Sequence, residues 1–307
     1  MPSIVINKKV FEKAIGKKIP LQELKDRISM LGTDLEKIEG NEIHVEIFPD
    51  RPDMLSEQGF ARAFATFTGI KTGLRKYDVK PFGSHITSTP NKEWPFVLAA
   101  VVKGLKFDDD KIKDIIQVQE KLHTTLLRNR KKGGIGIYPL DKLKFPIRFT
   151  AEDPDKIKFR PLEYQSEITG RQILSKHPTG RAYAHTCEKW NKFPVFRDAN
   201  NNILSMPPII NSHDTGKITE KTKDVFIEAT GTDFDALQSC INIIVTTLAD
   251  LGGKIFSVEM RYPNKKFISP NLKPQKMSLD IAHVNKLLGL DLTAQTVKKL
   301  LLRMGFG

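Results

Sequence analysis

The sequence predicts a multidomain α+β protein, and three observations carry that expectation. Its 307 residues exceed what one compact unit usually holds, at about 100 to 200 residues per domain. A strand-rich stretch from Ile135 to Asp233 is bracketed by two long helical patterns. A segment from Lys71 to Glu93, rich in Lys, Gly, Ser, Thr and Pro, reads as a linker ahead of them.

Residues 1–90 are expected to form a small α/β domain. SIVI is strand-like, VFEKAIG and LQELKDRISMLG carry apolar residues at helical spacing, and the second stops at Gly32. EIHVEIF alternates as a strand should, and the Pro-rich PDRPDML turn leads to a helix with Ser56 as its cap. Residues 91–267 form the second expected domain, opening on WPFVLAAVVKGL, a nearly continuous apolar run that suits a buried strand. From Asp108 to Arg130 a stripe of Ile112, Ile115, Ile116, Val118, Leu122, Leu126 and Leu127 predicts a helix ending in the basic RNRKKGG. FDALQSCINIIVTTLADLGG predicts a second long helix stopped by paired glycines, and KIFSVEMRY a further strand. Residues 268–307 hold two short helices, capped by Asp280 and by Thr293 or Thr296, and read as the start of a truncated domain.

Composition narrows the functional classes. Hydrophobic residues at 39% make the chain too apolar to be disordered, and no window approaches the 18 apolar residues of a membrane-spanning helix. The formal charge of +13 favours polyanionic partners, nucleic acid first, although a solvated Lys-rich surface gives the same number. Cys187 and Cys240 stand far apart, which excludes a disulfide framework and a zinc site of ordinary spacing and fits a reducing cytoplasm.

The seven histidines show no metal-ligand spacing, so metal catalysis is not expected. His185 and Cys187, alternating along RAYAHTCEKW, would share one face of a strand and form a thiol–imidazole pair, or simply pack. KKGGIGIYPL brings Gly133, Gly134 and Gly136 behind Arg128, Arg130, Lys131 and Lys132, a phosphate approach or a flexible basic turn. In LSMPPIIN, Leu204 to Asn211, two successive prolines impose one stiff conformation and build a wall. In FIEATGTD, Phe226 to Asp233, Glu228 and Thr230 share a strand face; a carboxylate between Ile227 and Ala229 either faces solvent from an edge strand or serves a site.

FPVFRDANNNILSMPPIIN followed by FIEATGTD resembles the editing domain of archaeal and eukaryotic phenylalanyl-tRNA synthetase beta subunits. FEKAIGK, FPDRPDMLSEQGFARA, PFVLAAVVKGLKF, QVQEKLHTTLLRNRKKGGIGIYPLDKL and IKFRPL are similar to the same family, in the same order, so nearly the whole chain is covered. The resemblance implies an N-terminal α/β domain, a mixed α+β editing domain and the opening of a winged-helix-like domain. It also implies a catalytic alpha subunit as partner in a heterotetramer and tRNA(Phe) as substrate carrier. ATP and magnesium are implied only for the full enzyme, no cofactor for this chain, and no aminoacylation by this chain alone.

The activity so implied is hydrolysis of tyrosine wrongly attached to tRNA(Phe), in a pocket comprising Phe196, Ser205, Asn211, Glu228 and Thr230. Glu228 would accept the tyrosyl hydroxyl, Ser205 offer a hydroxyl and Phe196 an apolar side for the ring. Many archaeal members carry an aliphatic residue and an Asp where this chain has Phe196 and Glu228. No side chain is an evident general base. Arg128, Arg130, Lys131 and Lys132 are the candidates for touching the tRNA backbone. The alternative reading is a non-catalytic tRNA-binding or subunit-interaction module.

Overall fold

A computed structural model describes residues 2–89 and 91–307, which fall into two compact units. One runs up to Tyr77 and includes Leu272–Gly307; the other is Asp78–Asn271.

In the first unit β1 (Ser3–Asn7) leads into α1 (Lys8–Ile15), whose first amides are capped by the Asn7 side chain. After α2 (Leu21–Met30), β2 (Asp34–Glu39) and β3 (Glu42–Glu46) complete an antiparallel sheet ordered β1-β3-β2. The expected Ser56 cap is present, its Oγ accepting from the Gly59 amide at 2.9 Å at the start of α3 (Glu57–Phe67). Phe11, Phe60 and Phe64, all fully buried, form an aromatic cluster between α1 and α3.

The linker expected from Lys71 to Glu93 is corrected. Val79–Ser88 is a ten-residue strand, β4, of the second unit's sheet, and Pro90, where the domain boundary was placed, lies outside the described residues. Pro81 and Gly83 (φ 84°) accompany a register shift against a neighbouring strand, and of its apolar side chains only Ile86 is fully buried. A strand held by its backbone ladder on both sides leaves little apolar pattern to read.

The second unit continues with β5 (Phe96–Lys103), α4 (Asp109–Thr124), β6 (Gly133–Pro139), β7 (Ile147–Glu152), β8 (Lys158–Phe159), β9 (Ile168–Thr169), α5 (Gly170–Lys176) and α6 (Pro178–Tyr183). There follow β10 (Phe193–Arg197), β11 (Ile203–Met206), β12 (Ile210–Asn211), α7 (His213–Gly216), β13 (Val225–Gly231), α8 (Phe234–Asp250), β14 (Lys254–Arg261) and β15 (Lys266–Ser269). The main sheet runs β12-β11-β10-β7-β4-β14-β5-β13-β6, with β15 on β14. β5 lies between β14 and β13 with its interior residues buried, as its unbroken apolar run requires. α8, capped by Asp233, packs on β5 and β13, and α4 on α8 and β6.

The segment expected as a third domain, 268–307, divides differently: Ile268 and Ser269 belong to β15, and from Leu272 the chain joins the first unit. There α9 (Ile281–Leu288) is capped by Asp280 and α10 (Ala294–Arg303) by Thr293, whose Oγ1 accepts from the Thr296 amide. α10 rests against α3.

Candidate functional site at the seam of the sheet

β13 is paired on both sides, by β5 and β6, so Glu228 cannot face solvent from an edge strand. Opposite it stands Gly136, and opposite Thr230 stands Gly134. A Cβ on Gly136 would lie 2.5 Å from Glu228 Oε1 and 2.3 Å from the Tyr138 hydroxyl, and one on Gly134 would lie 3.2 Å from Pro208. These glycines therefore make room for side chains within a sheet; the phosphate-approach and flexible-turn readings of Gly133, Gly134 and Gly136 are both corrected.

LSMPPIIN folds as a β11–β12 hairpin, its tip closed by the Ile209 amide donating to the Met206 carbonyl at 2.9 Å. Ser205 pairs with Asn211 on one side and Phe196 on the other, and Phe196 pairs with Phe149. The hairpin lies at one end of the sheet's path and β6 at the other, yet they meet. Tyr138 on β6 approaches Asn211 on β12 at 3.2 Å, so the sheet curls until its two ends enclose a seam.

Arg130 spans that seam. Residues Arg128, Asn129 and Arg130 take left-handed φ angles of 49°, 53° and 62°, a costly turn for non-glycine residues. The turn delivers the Arg130 guanidinium inward, where Nη1 donates to the carbonyls of Pro208 (3.1 Å) and Ile209 (2.9 Å) and Nη2 to Glu120 Oε1 (2.7 Å). It also lies over the Tyr183 ring at 4.3 Å. With Arg130 only 8% exposed, its assignment to the tRNA backbone is corrected: it anchors the proline wall. Lys132 is engaged too, bonded to Asp233 at 2.6 Å, whereas Arg128 and Lys131 are exposed. A run of basic letters looks the same whether its side chains point out or in.

The seam holds a cavity of about 430 Å³ lined by Glu228, Ser205, Asn211 and the Pro207–Ile210 tip, with Ile112, Ile116, Lys217 and Ile218 also lining it. Glu228 is 2% exposed; Oε1 accepts from the Tyr138 hydroxyl at 3.0 Å, while Oε2 has no partner in the structure. Burial pushes its carboxyl up to about 8, against the smaller opposing effect of the Tyr138 hydrogen bond. Burial, then the Glu228 charge, pushes the Tyr138 phenol well above its ordinary value. The Ser205 hydroxyl is buried without a geometrically satisfactory partner. On α4, His123 Nε2 accepts from the Ile135 amide at 2.8 Å, so its proton sits on Nδ1 and is donated to Glu120 at 3.1 Å. Burial alone would push Glu120 up, but His123 and Arg130 together hold it down at about 2.

Of the five expected pocket residues, Ser205, Asn211 and Glu228 line one cavity. Phe196 and Thr230 stand outside the lining: Phe196 is fully buried with its ring 4.7 Å from Phe149, and Thr230 is fully buried with an unpaired hydroxyl. Sequence reading missed Tyr138, Glu120 and His123. One signal for Tyr138 was available, because Gly134, Gly136 and Tyr138 alternate onto the strand face that meets Glu228. The strand expected to present His185 with Cys187 is corrected: the pair follows α6 in a short helical turn, and burial pushes the thiol up to about 12, far from a nucleophile.

No family model matches the chain. Among solved structures, an N-terminal fragment of the phenylalanyl-tRNA synthetase beta subunit from Pyrococcus horikoshii superposes with a TM-score of 0.94 at 35% identity, over 99% of this chain and 89% of that one. The chain belongs to the phenylalanyl-tRNA synthetase beta-subunit family. Among curated sequences, phenylalanine–tRNA ligase beta subunits of Methanothrix thermoacetophila and Methanosarcina acetivorans are 41% and 40% identical over 92% and 100% of the chain. The chain spans 52% and 56% of those two synthetase subunits, about half their length. The mixed α+β fold expected from the beta-subunit resemblance is the one found.

Proposed function

We propose that this region of a phenylalanyl-tRNA synthetase beta subunit hydrolyses tyrosine misattached to tRNA(Phe), with the seam cavity receiving the tyrosyl side chain. The observation that carries this reading is the buried Glu228 carboxyl, with one oxygen, Oε2, unpaired, on a residue that lines one cavity with Ser205. A pocket built for phenylalanine rejects a ring with one added hydroxyl by only about a hundredfold, so tyrosine leaks through the first selection. Here the logic is inverted. A phenol satisfies Oε2, whereas a phenyl ring leaves it desolvated and unpaired, at a cost of about 1 to 3 kcal/mol, roughly 5- to 150-fold.

The reaction is ester hydrolysis: water attacks the aminoacyl carbonyl and the terminal ribose oxygen leaves. Positioned water and the neighbouring ribose hydroxyl carry the chemistry, since an aminoacyl ester is already reactive and needs orientation more than activation. Arg128 and Lys131, exposed beside the site, are the contacts proposed for the tRNA backbone. In the full synthetase, acting in the cytoplasm, the partner is the catalytic alpha subunit, where ATP and magnesium serve aminoacylation.

The test compares release of tyrosine and phenylalanine from charged tRNA(Phe). The wild-type chain should hydrolyse the tyrosyl ester preferentially and Glu228→Ala should lose that preference; equal hydrolysis by the variant would refute the role of Glu228.

A further inference from the structure

The geometry points to Tyr138 as a specificity-determining positioning residue that fixes Glu228 by Oε1 and so presents Oε2 alone to a phenol in the cavity. The inference rests on the editing reading and deepens it. A carboxyl on a three-torsion side chain can offer either oxygen, or turn both onto one partner, unless something holds it. The Tyr138 hydroxyl does so at 3.0 Å, from a ring itself fixed against Phe226, its cross-strand neighbour, at 5.8 Å between centroids. Gly136 leaves the two side chains space to meet.

The proton count supports the same division of labour. Tyr138 has one hydroxyl proton and three polar neighbours, Glu228 Oε1 at 3.0 Å, Asn211 Oδ1 at 3.2 Å and the Ser205 side chain. Given to Glu228, that proton leaves the Tyr138 oxygen to accept from the Asn211 amide, whose two ends exchange by a half-turn of the side chain. Of the two carboxylate oxygens, Oε1 is then bonded and Oε2 has no partner in the structure. The unmet atom is the one that can distinguish a phenol from a benzene ring.

Glu228 is faced by Tyr138 from β6, Ser205 from β11 and Asn211 from β12; Glu120 and His123 on α4, Arg130, Glu163 and Lys217 are the charged or titratable groups lining the same cavity. The hydrogen bond from Tyr138 favours the ionised carboxyl, the form that accepts from a phenol. Loss of the hydroxyl therefore moves the Glu228 titration upward and with it the pH at which tyrosyl ester is bound best.

The experiment uses the 307-residue chain as wild type, Tyr138→Phe, Glu228→Gln and the double variant, with 3-fluorotyrosine placed at position 138 as a further form. Carboxyl carbon-13 NMR, with Glu228→Gln for assignment, should show the Glu228 titration raised by Tyr138→Phe and lowered by the more acidic fluorophenol. Tyrosyl over phenylalanyl discrimination should fall about tenfold or more in Tyr138→Phe, chiefly through KM for the tyrosyl ester. In the Glu228→Gln background Tyr138→Phe should add little, because both act through one group. An unmoved titration in both altered forms, unchanged discrimination, or additive losses would each overturn the proposal. A wild-type chain that hydrolyses neither ester would instead sink the editing reading, and the titration would still decide whether Tyr138 controls Glu228.

Discussion

Gly136 and Glu228 are cross-strand partners, and the side chain that Gly136 lacks is the space the Glu228 carboxyl and the Tyr138 hydroxyl occupy. Gly136→Ala should therefore displace both, with a Cβ built 2.5 Å from Oε1 and 2.3 Å from the phenol oxygen. The expected result is a stability loss of about 1 to 3 kcal/mol in denaturant unfolding, with tyrosyl hydrolysis reduced more than the stability loss explains.

The contribution of Glu228 to stability should decline as pH rises, contrary to the usual carboxylate and opposite to buried His123, whose titration is pushed down. Glu228 titrates near 8 in the folded chain against 4.5 ordinarily, so between those values the unfolded chain releases a proton the folded chain retains. Its contribution is full below about 4.5 and lost progressively toward 8, by up to about 1.4 kcal/mol per pH unit. Thermal melts of wild type and Glu228→Gln from pH 5 to 8 should differ in slope, the variant being flatter; parallel slopes would mean the carboxyl is not buried as described.

Arg130→Met should cost about 1 to 3 kcal/mol, since it strands the buried Pro208 and Ile209 carbonyls, while the half-exposed Glu120 carboxylate keeps His123 and solvent. Arg130→Lys should not rescue, because one ammonium cannot reproduce the fork over Tyr183. Urea midpoints of the two variants measure this directly.

Within the basic run 128–132, the exposed pair Arg128 and Lys131 should alter the ionic-strength dependence of tRNA binding. Arg128→Ala with Lys131→Ala should reduce the slope of log K against log salt by about 1 to 2, while Lys132→Ala, already paired with Asp233, should leave it nearly unchanged. Binding titrations at four salt concentrations separate the cases.

Much of the architecture was legible because local chemistry and long-range packing agree. The unbroken apolar run of β5 predicts a strand buried on both faces, and Ser56, Asp280 and Thr293 cap helices where small polar residues precede a periodic run. β4 was hidden because Pro81 and Gly83 punctuate it and its partners β14 and β7 lie far off in sequence. Within the site, Glu228, Ser205 and Asn211 were recognisable from their motifs. Tyr138 was not, since it meets Glu228 across 90 residues and its letter does not distinguish a core ring from a positioning hydroxyl. Arg130 was misassigned for a related reason: direction of a side chain is set by three left-handed residues whose sequence, Arg-Asn-Arg, carries no glycine to announce the turn.

Along the main sheet each strand is stitched to the next by its peptide ladder, but Tyr138 and Arg130 join the two outermost members through side-chain contacts to Asn211, Pro208 and Ile209. Side-chain bonds of this kind close the seam without a peptide ladder between β6 and β12. Amides of the β11–β12 hairpin should therefore exchange with solvent sooner than those of β5, which hydrogen exchange measures.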